Sequence, residues 1–94
     1  MTTERVENVW DAIEATPAEA ENMRVRSALM AELVAYIERT GLPQTEIAGR
    51  FGVTQPRISD LVQGKIDLFS IDTLANMLTA AGLRLDVRII PAAS

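Results

Sequence analysis

Residues 44–64 read QTEIAGRFGVTQPRISDLVQG, and the spacing within this stretch decides the fold. It predicts two short helices, Gln44 to Phe51 and Gln55 to Gln63, joined by the tight turn Gly52-Val53-Thr54. Helices that cross this closely need a small residue midway along the first, and Ala48 stands there. The turn needs a residue that accepts positive φ, which Gly52 supplies. Ile47, Phe51, Val53, Ile58 and Leu61 fall on the inward face, at helical spacing within each helix.

The ends of the second helix are equally well marked. Thr54 can cap it through its side-chain oxygen, and Pro56 sits in the first turn, where a missing N–H costs nothing. Gly64 closes it. This is the spacing of a helix-turn-helix, whose second helix enters the major groove of DNA. Because Ile58 and Leu61 point inward, Gln55, Pro56, Arg57 and Ser59 are expected to point outward as base-contact candidates. Gln55 suits adenine and Arg57 suits guanine, each pair giving roughly 1–3 kcal/mol of discrimination. Pro56 can touch a thymine methyl, and Ser59 is open between base and phosphate. Gln44, Thr54 and Lys65 are candidates for the DNA backbone. Asp60 would repel phosphate and reads as a helix-surface residue.

With those residues in view, the segment resembles the XRE family, the lambda-repressor/Cro type of helix-turn-helix. The pattern is carried by Gln44, Ile47-Ala48, Phe51-Gly52-Val53-Thr54, Ile58-Ser59 and Leu61. One position departs from it. The family has Ser or Thr just before the Gln of the first helix, and here Pro43 stands there, so proline's fixed φ replaces a side-chain cap. The resemblance implies that Gln44 binds a phosphate and also braces Gln55.

Composition bounds the rest. Ninety-four residues with 48% hydrophobic content make one domain with one core. No apolar run approaches the roughly 20 residues a spanning helix needs, no signal-peptide pattern opens the sequence, and a cytoplasmic protein is expected. Cys and His are both absent, so no metal site and no cofactor is expected. Without them, a glycine-rich phosphate loop or a convincing carboxylate pair, an enzyme is not expected either. The net charge of −4 is awkward for a DNA-binder, and it resides in residues 1–40, where eight acids face four bases. The motif and its exit hold Arg50, Arg57 and Lys65 against Glu46 and Asp60. Binding by one copy should therefore be weak, and two copies are needed. The acidic first half points to a different, basic partner.

Three regions are expected along the chain. Residues 1–15 form an amphipathic leader, with Val6, Val9, Trp10 and Ile13 on one face and Glu4, Glu7, Asp11 and Glu14 on the other. That stripe either packs back on the domain or docks a basic partner, with Val6, Trp10 and Ile13 as the docking candidates. Residues 16–82 form the helical DNA-binding domain, with its helix-turn-helix at 44–63. It opens on a capping box of Thr16 and Glu19 with Pro17 between them, and a long helix runs to Thr40 before Gly41. Leu29, Met30, Leu33, Tyr36 and Ile37 are its buried stripe, while Arg24 and Arg26 are placed on its outer side as solvated charges. Ser70 caps a last helix, Ile71 to Ala81, with Phe69 and Leu74 at the positions of a hydrophobic staple. Residues 83–90 change period. Leu83, Leu85, Val87 and Ile89 alternate with Arg84, Asp86 and Arg88, which predicts a strand with one buried face. No second strand is expected in the chain, so the same strand of a second copy is the expected partner, giving a twofold homodimer; a strand lying unpaired along the helices is the alternative.

The fold class is thus mostly α: a lambda-repressor-like domain of about five helices, with a C-terminal β-strand pairing across a homodimer. A dimer spaces two recognition helices about 34 Å apart, so the double-stranded DNA site should be a palindrome. From Val9 to Ile90, and most distinctively over GKIDLFSIDTL, the sequence looks like the HigA-type antitoxins of bacterial toxin–antitoxin pairs. That resemblance implies an autorepressor that neutralises a basic toxin of the RelE/ParE superfamily. The alternatives are a stand-alone repressor without a toxin and a protein-interaction module whose DNA face is vestigial.

Overall fold

Thr16 opens the first helix of the computed structural model, which describes residues 16–92. Its side-chain oxygen accepts from the Glu19 N–H at 3.2 Å, and Pro17 takes the first turn. Only this half of the expected capping box forms; Glu19 itself is exposed to solvent. Helix α1 (Pro17–Thr40) spans 24 residues, about 36 Å, and ends where Gly41 turns to φ 66°. Gly lacks the Cβ that makes this left-handed conformation costly, so the stop is local in origin.

The motif helices follow as read. Helix α2 (Gln44–Phe51) starts on Pro43 at φ −62° with no side-chain cap, and helix α3 (Gln55–Val62) starts on Thr54. Gly52 at φ 70° bends the chain between them. A 3-10 turn (Ile66–Leu68) leads to helix α4 (Ile71–Ala80), capped by Ser70, whose hydroxyl accepts from the Thr73 N–H at 3.1 Å.

Helix α1 packs mainly against α4, and α2 mainly against α3, while α1 also touches α3 and the 3-10 turn. Leu33, Ile47, Ile58, Leu61, Phe69 and Leu74 are fully buried at the centre. Each aliphatic among them contributes roughly 1.5–3 kcal/mol by leaving water. Tyr36 stacks on Phe51 with centroids 6.3 Å apart, tying α1 to the end of α2. The expected stripe on α1 is present, with Met30, Leu33 and Ile37 buried and Leu29 and Tyr36 half-buried. It begins late in the helix: every residue from Pro17 to Arg24 is exposed.

Arg24 is exposed, as read, whereas Arg26 differs from the reading as a solvated charge on the outer side. Arg24 pairs with Glu21 one turn earlier and holds that carboxyl below its ordinary pKa through the hydrogen bond. Arg26 is half-buried: its Nε donates to Asn22 Oδ1 at 2.7 Å, and its Nη1 donates to the Ile66 carbonyl at 3.2 Å. A long side chain can lay its stem on the domain and still cap a loop carbonyl, and here it ties α1 to the 3-10 turn.

The expected partner of the tail is a second copy of the chain. No residue from Leu83 to Ile90 is in a strand in this single chain. A strand needs a ladder partner, and none of the described residues provides one. The alternation is realised over its first half only. Leu83 and Leu85 pack against the core, whereas Val87, Ile89 and Ile90 are 71%, 91% and 75% exposed. Together with α1 the tail lines an open groove of about 440 Å³, whose walls include Val25, Leu29, Leu83, Leu85 and Val87. The predicted leader helix, with Val6, Trp10 and Ile13, lies outside the described residues. No described helix is long and apolar enough to cross a membrane.

Candidate nucleic-acid interface

Thr54 sets the geometry of the site. With φ −83° and ψ 158° it halts the chain before α3, and its Oγ1 accepts from the Arg57 N–H at 3.3 Å. Its carbonyl accepts from the Arg57 and Ile58 N–H groups at 3.1 and 3.2 Å. Pro56 needs no partner for a missing N–H, so the first turn of α3 leaves little unsatisfied. Ile58 and Leu61 are buried against Ile47, Ala48 and Phe51 of α2, and this fixes the rotation of α3. Gln55 and Pro56 are consequently exposed at its leading end.

Gln44 and Gln55 stand at the first positions of α2 and α3, and they are joined. Gln55 Nε2 donates to Gln44 Oε1 at 2.6 Å. The bond uses one donor of Gln55 and leaves its carbonyl oxygen and second N–H open, the pair that adenine requires. Gln44 accepts in this bond through its oxygen, so both of its own side-chain N–H donors stay open.

The other two base-contact candidates are less free than expected. Ser59 is half-buried, and its Oγ accepts from Gln63 Nε2 at 2.9 Å, one turn on. Arg57 is also half-buried, with its guanidinium carbon 4.2 Å from the centre of the Phe69 ring. The reason is the position of Arg57 at the edge of α3, beside the loop that brings Phe69 back to the core. Sequence reasoning missed this contact, because Phe69 was assigned only to a staple with Leu74. Nothing periodic links residues 57 and 69; folding of the 3-10 turn brings them together.

The remaining cations of the motif are engaged with acids. Lys65 Nζ lies 3.3 Å from Asp60 Oδ1, and Arg50 Nη2 lies 3.9 Å from Glu46 Oε2. Asp60 thus restrains Lys65. Among the described residues, Arg57 has neither a carboxylate partner nor a side-chain hydrogen bond. No group of three His, Cys, Asp or Glu among them is placed to hold a metal ion.

Comparison with known proteins agrees with this geometry. The family model described as a helix-turn-helix domain matches residues 13–90. A solved chain whose name assigns it, provisionally, to the XRE family of transcriptional regulators shares 31% identity with a TM-score of 0.72. That match covers 79% of this chain and 83% of the other. The curated proteins contain no match. An N-capped recognition helix presenting Gln55, its glutamine brace and a match over most of the chain lead to one conclusion: this protein belongs to the XRE-type helix-turn-helix family and is a DNA-binding transcriptional regulator.

Proposed function

We propose that the protein is an autorepressing antitoxin, which binds a palindromic operator as a homodimer and neutralises a basic toxin of the RelE/ParE superfamily. The observation that carries the DNA half is the Gln44–Gln55 hydrogen bond, which holds a base-reading amide at the exposed start of α3. In this mechanism Gln55 reads an adenine, with Pro56, Arg57 and Ser59 as its neighbours on the bases. Gln44, Thr54 and Lys65 hold the phosphates. Each copy carries little net positive charge on the motif, so two copies must act together on one duplex.

Dimerisation through Leu83, Leu85, Val87 and Ile89 is supported by apolar exposure concentrated at the end of the tail. Water covers Val87, Ile89 and Ile90 in the single chain, and pairing with a second tail would cover both the side chains and the backbone. The toxin-neutralising half rests on the acid excess of residues 1–40 and on the resemblance described above. Such a protein works in the cytoplasm, beside its DNA.

A second reading, an interaction module with a vestigial DNA face, is favoured by the pairing of Arg50 and Lys65 with acids. Fluorescence anisotropy on the DNA upstream of this protein's own reading frame, across a salt series, separates the two. A steep fall of affinity with salt, and a footprint of two symmetric half-sites about one duplex turn apart, supports the repressor. No binding at low salt supports the interaction module. A small basic protein that is encoded beside this one and co-purifies with it supports the toxin partner, and its absence leaves a stand-alone repressor.

A further inference from the structure

Among the described residues, Arg57 is the one motif cation that a ring holds and no acid holds, which separates it from Arg50 and Lys65. A guanidinium stacked on a ring uses its face, and its N–H edges stay free to donate. Phe69 is only 1% exposed, so its ring is fixed by the core on the sides Arg57 does not cover. The platform is therefore rigid. A free Arg has rotamer entropy that must be lost on binding. A guanidinium already resting on a fixed ring has lost part of it beforehand.

We infer that Phe69, outside the helix-turn-helix, is a positioning residue for DNA recognition. It holds the Arg57 guanidinium at the edge of α3, with its donors directed to acceptors on the duplex. The inference rests on the DNA-binding reading above and extends it to a residue that touches no DNA. Removing the ring face should then weaken recognition as though part of Arg57 had been removed, while the charge of the motif stays the same. The alternative consequence of the same contact is sequestration, in which Phe69 holds Arg57 back from the duplex, and the experiment distinguishes the two.

The probes are a duplex selected by the protein from a randomised pool and a scrambled duplex of equal length. Wild type, Phe69→Leu, Arg57→Ala, Arg57→Lys and the Phe69→Leu/Arg57→Ala double variant are compared. Leu keeps an apolar side chain in the core, and thermal unfolding checks that each variant is folded. Phe69→Leu should lower affinity for the selected duplex by roughly threefold to tenfold, with little change on the scrambled one. Arg57→Lys, which keeps the charge but loses the planar stack, should fall with it. The double variant should bind no worse than Arg57→Ala alone, because the ring acts only through Arg57. In the unbound protein, the Arg57 side-chain proton resonances should show ring-current shifts that Phe69→Leu abolishes.

Additive losses in the double variant, or an equal loss on both duplexes, would reduce Phe69 to a core residue and overturn the inference. Tighter binding by Phe69→Leu would replace positioning with sequestration. If Phe69→Leu does not fold, Phe69→Met, which also removes the ring face and keeps an apolar side chain in the core, takes its place in every comparison, the double variant and the ring-current shifts included. Failure of the wild type to enrich any duplex would overturn the DNA-binding reading itself, and the inference with it.

Discussion

A single hydroxyl starts the recognition helix. Thr54→Ala removes the oxygen that accepts from the Arg57 N–H and should cost about 1 kcal/mol. In a domain of this size that is a fall of roughly 4–8 °C in melting temperature, readable by circular dichroism. Gln55→Ala is expected to behave differently. Its side chain is exposed, so thermal stability should stay within about 0.5 kcal/mol of wild type. Discrimination for adenine at its operator position should drop by roughly 1–3 kcal/mol, measured by competition between matched and substituted duplexes. Gln44→Ala should reproduce part of that loss, because it removes the brace from Gln55. Gln55, Pro56, Gln44 and Thr54 were legible from the sequence because their places follow from the caps and period of one short motif. The surroundings of Arg57 and Arg26 were not. Their partners, Phe69 and the Ile66 carbonyl, lie 12 and 40 residues away, and no local pattern records such a contact.

Among the elements, α2 and its turn offer a matched pair of substitutions. Both Gly49 and Gly52 have open space where a Cβ would stand. Gly49 sits inside the helix, so Gly49→Ala should stabilise the protein by roughly 0.5–1 kcal/mol through lower unfolded-state entropy. Gly52 is at φ 70°, so Gly52→Ala should destabilise it by about 1 kcal/mol or more, with no clash to blame. Chemical denaturation of the two variants gives opposite shifts of midpoint if backbone conformation alone is at work. The element boundaries were legible because Thr16, Pro17, Gly41, Gly52, Thr54 and Ser70 each carry a local reason to start or stop a helix. Where the signal was non-local it was incomplete: alternation from Leu83 onward predicts a strand, and a strand is completed only by a neighbour, which the single chain does not hold among its described residues.

At the level of the whole molecule, the exposed tail and the weakly charged motif are expected to be linked. Val87→Asp combined with Ile89→Asp should leave the helical spectrum intact, since both side chains are exposed in the single chain. The same protein should sediment as a monomer, where the proposed assembly requires wild type to sediment as a dimer. Its affinity for the full palindrome should fall by more than tenfold while binding to an isolated half-site is unchanged. A double variant that remains dimeric would remove the tail from the interface.

Helix α1 extends well past the core that supports it. None of the residues from Pro17 to Arg24 is buried among the described residues, and only from Met30 onward does the helix bury side chains fully. Isolated helical turns are marginal in water, so the amide protons of the first two turns should exchange with deuterium far faster than those between Leu33 and Ile37. A limited protease should then cut there first, and any binding partner that slows that cut will have revealed where it sits.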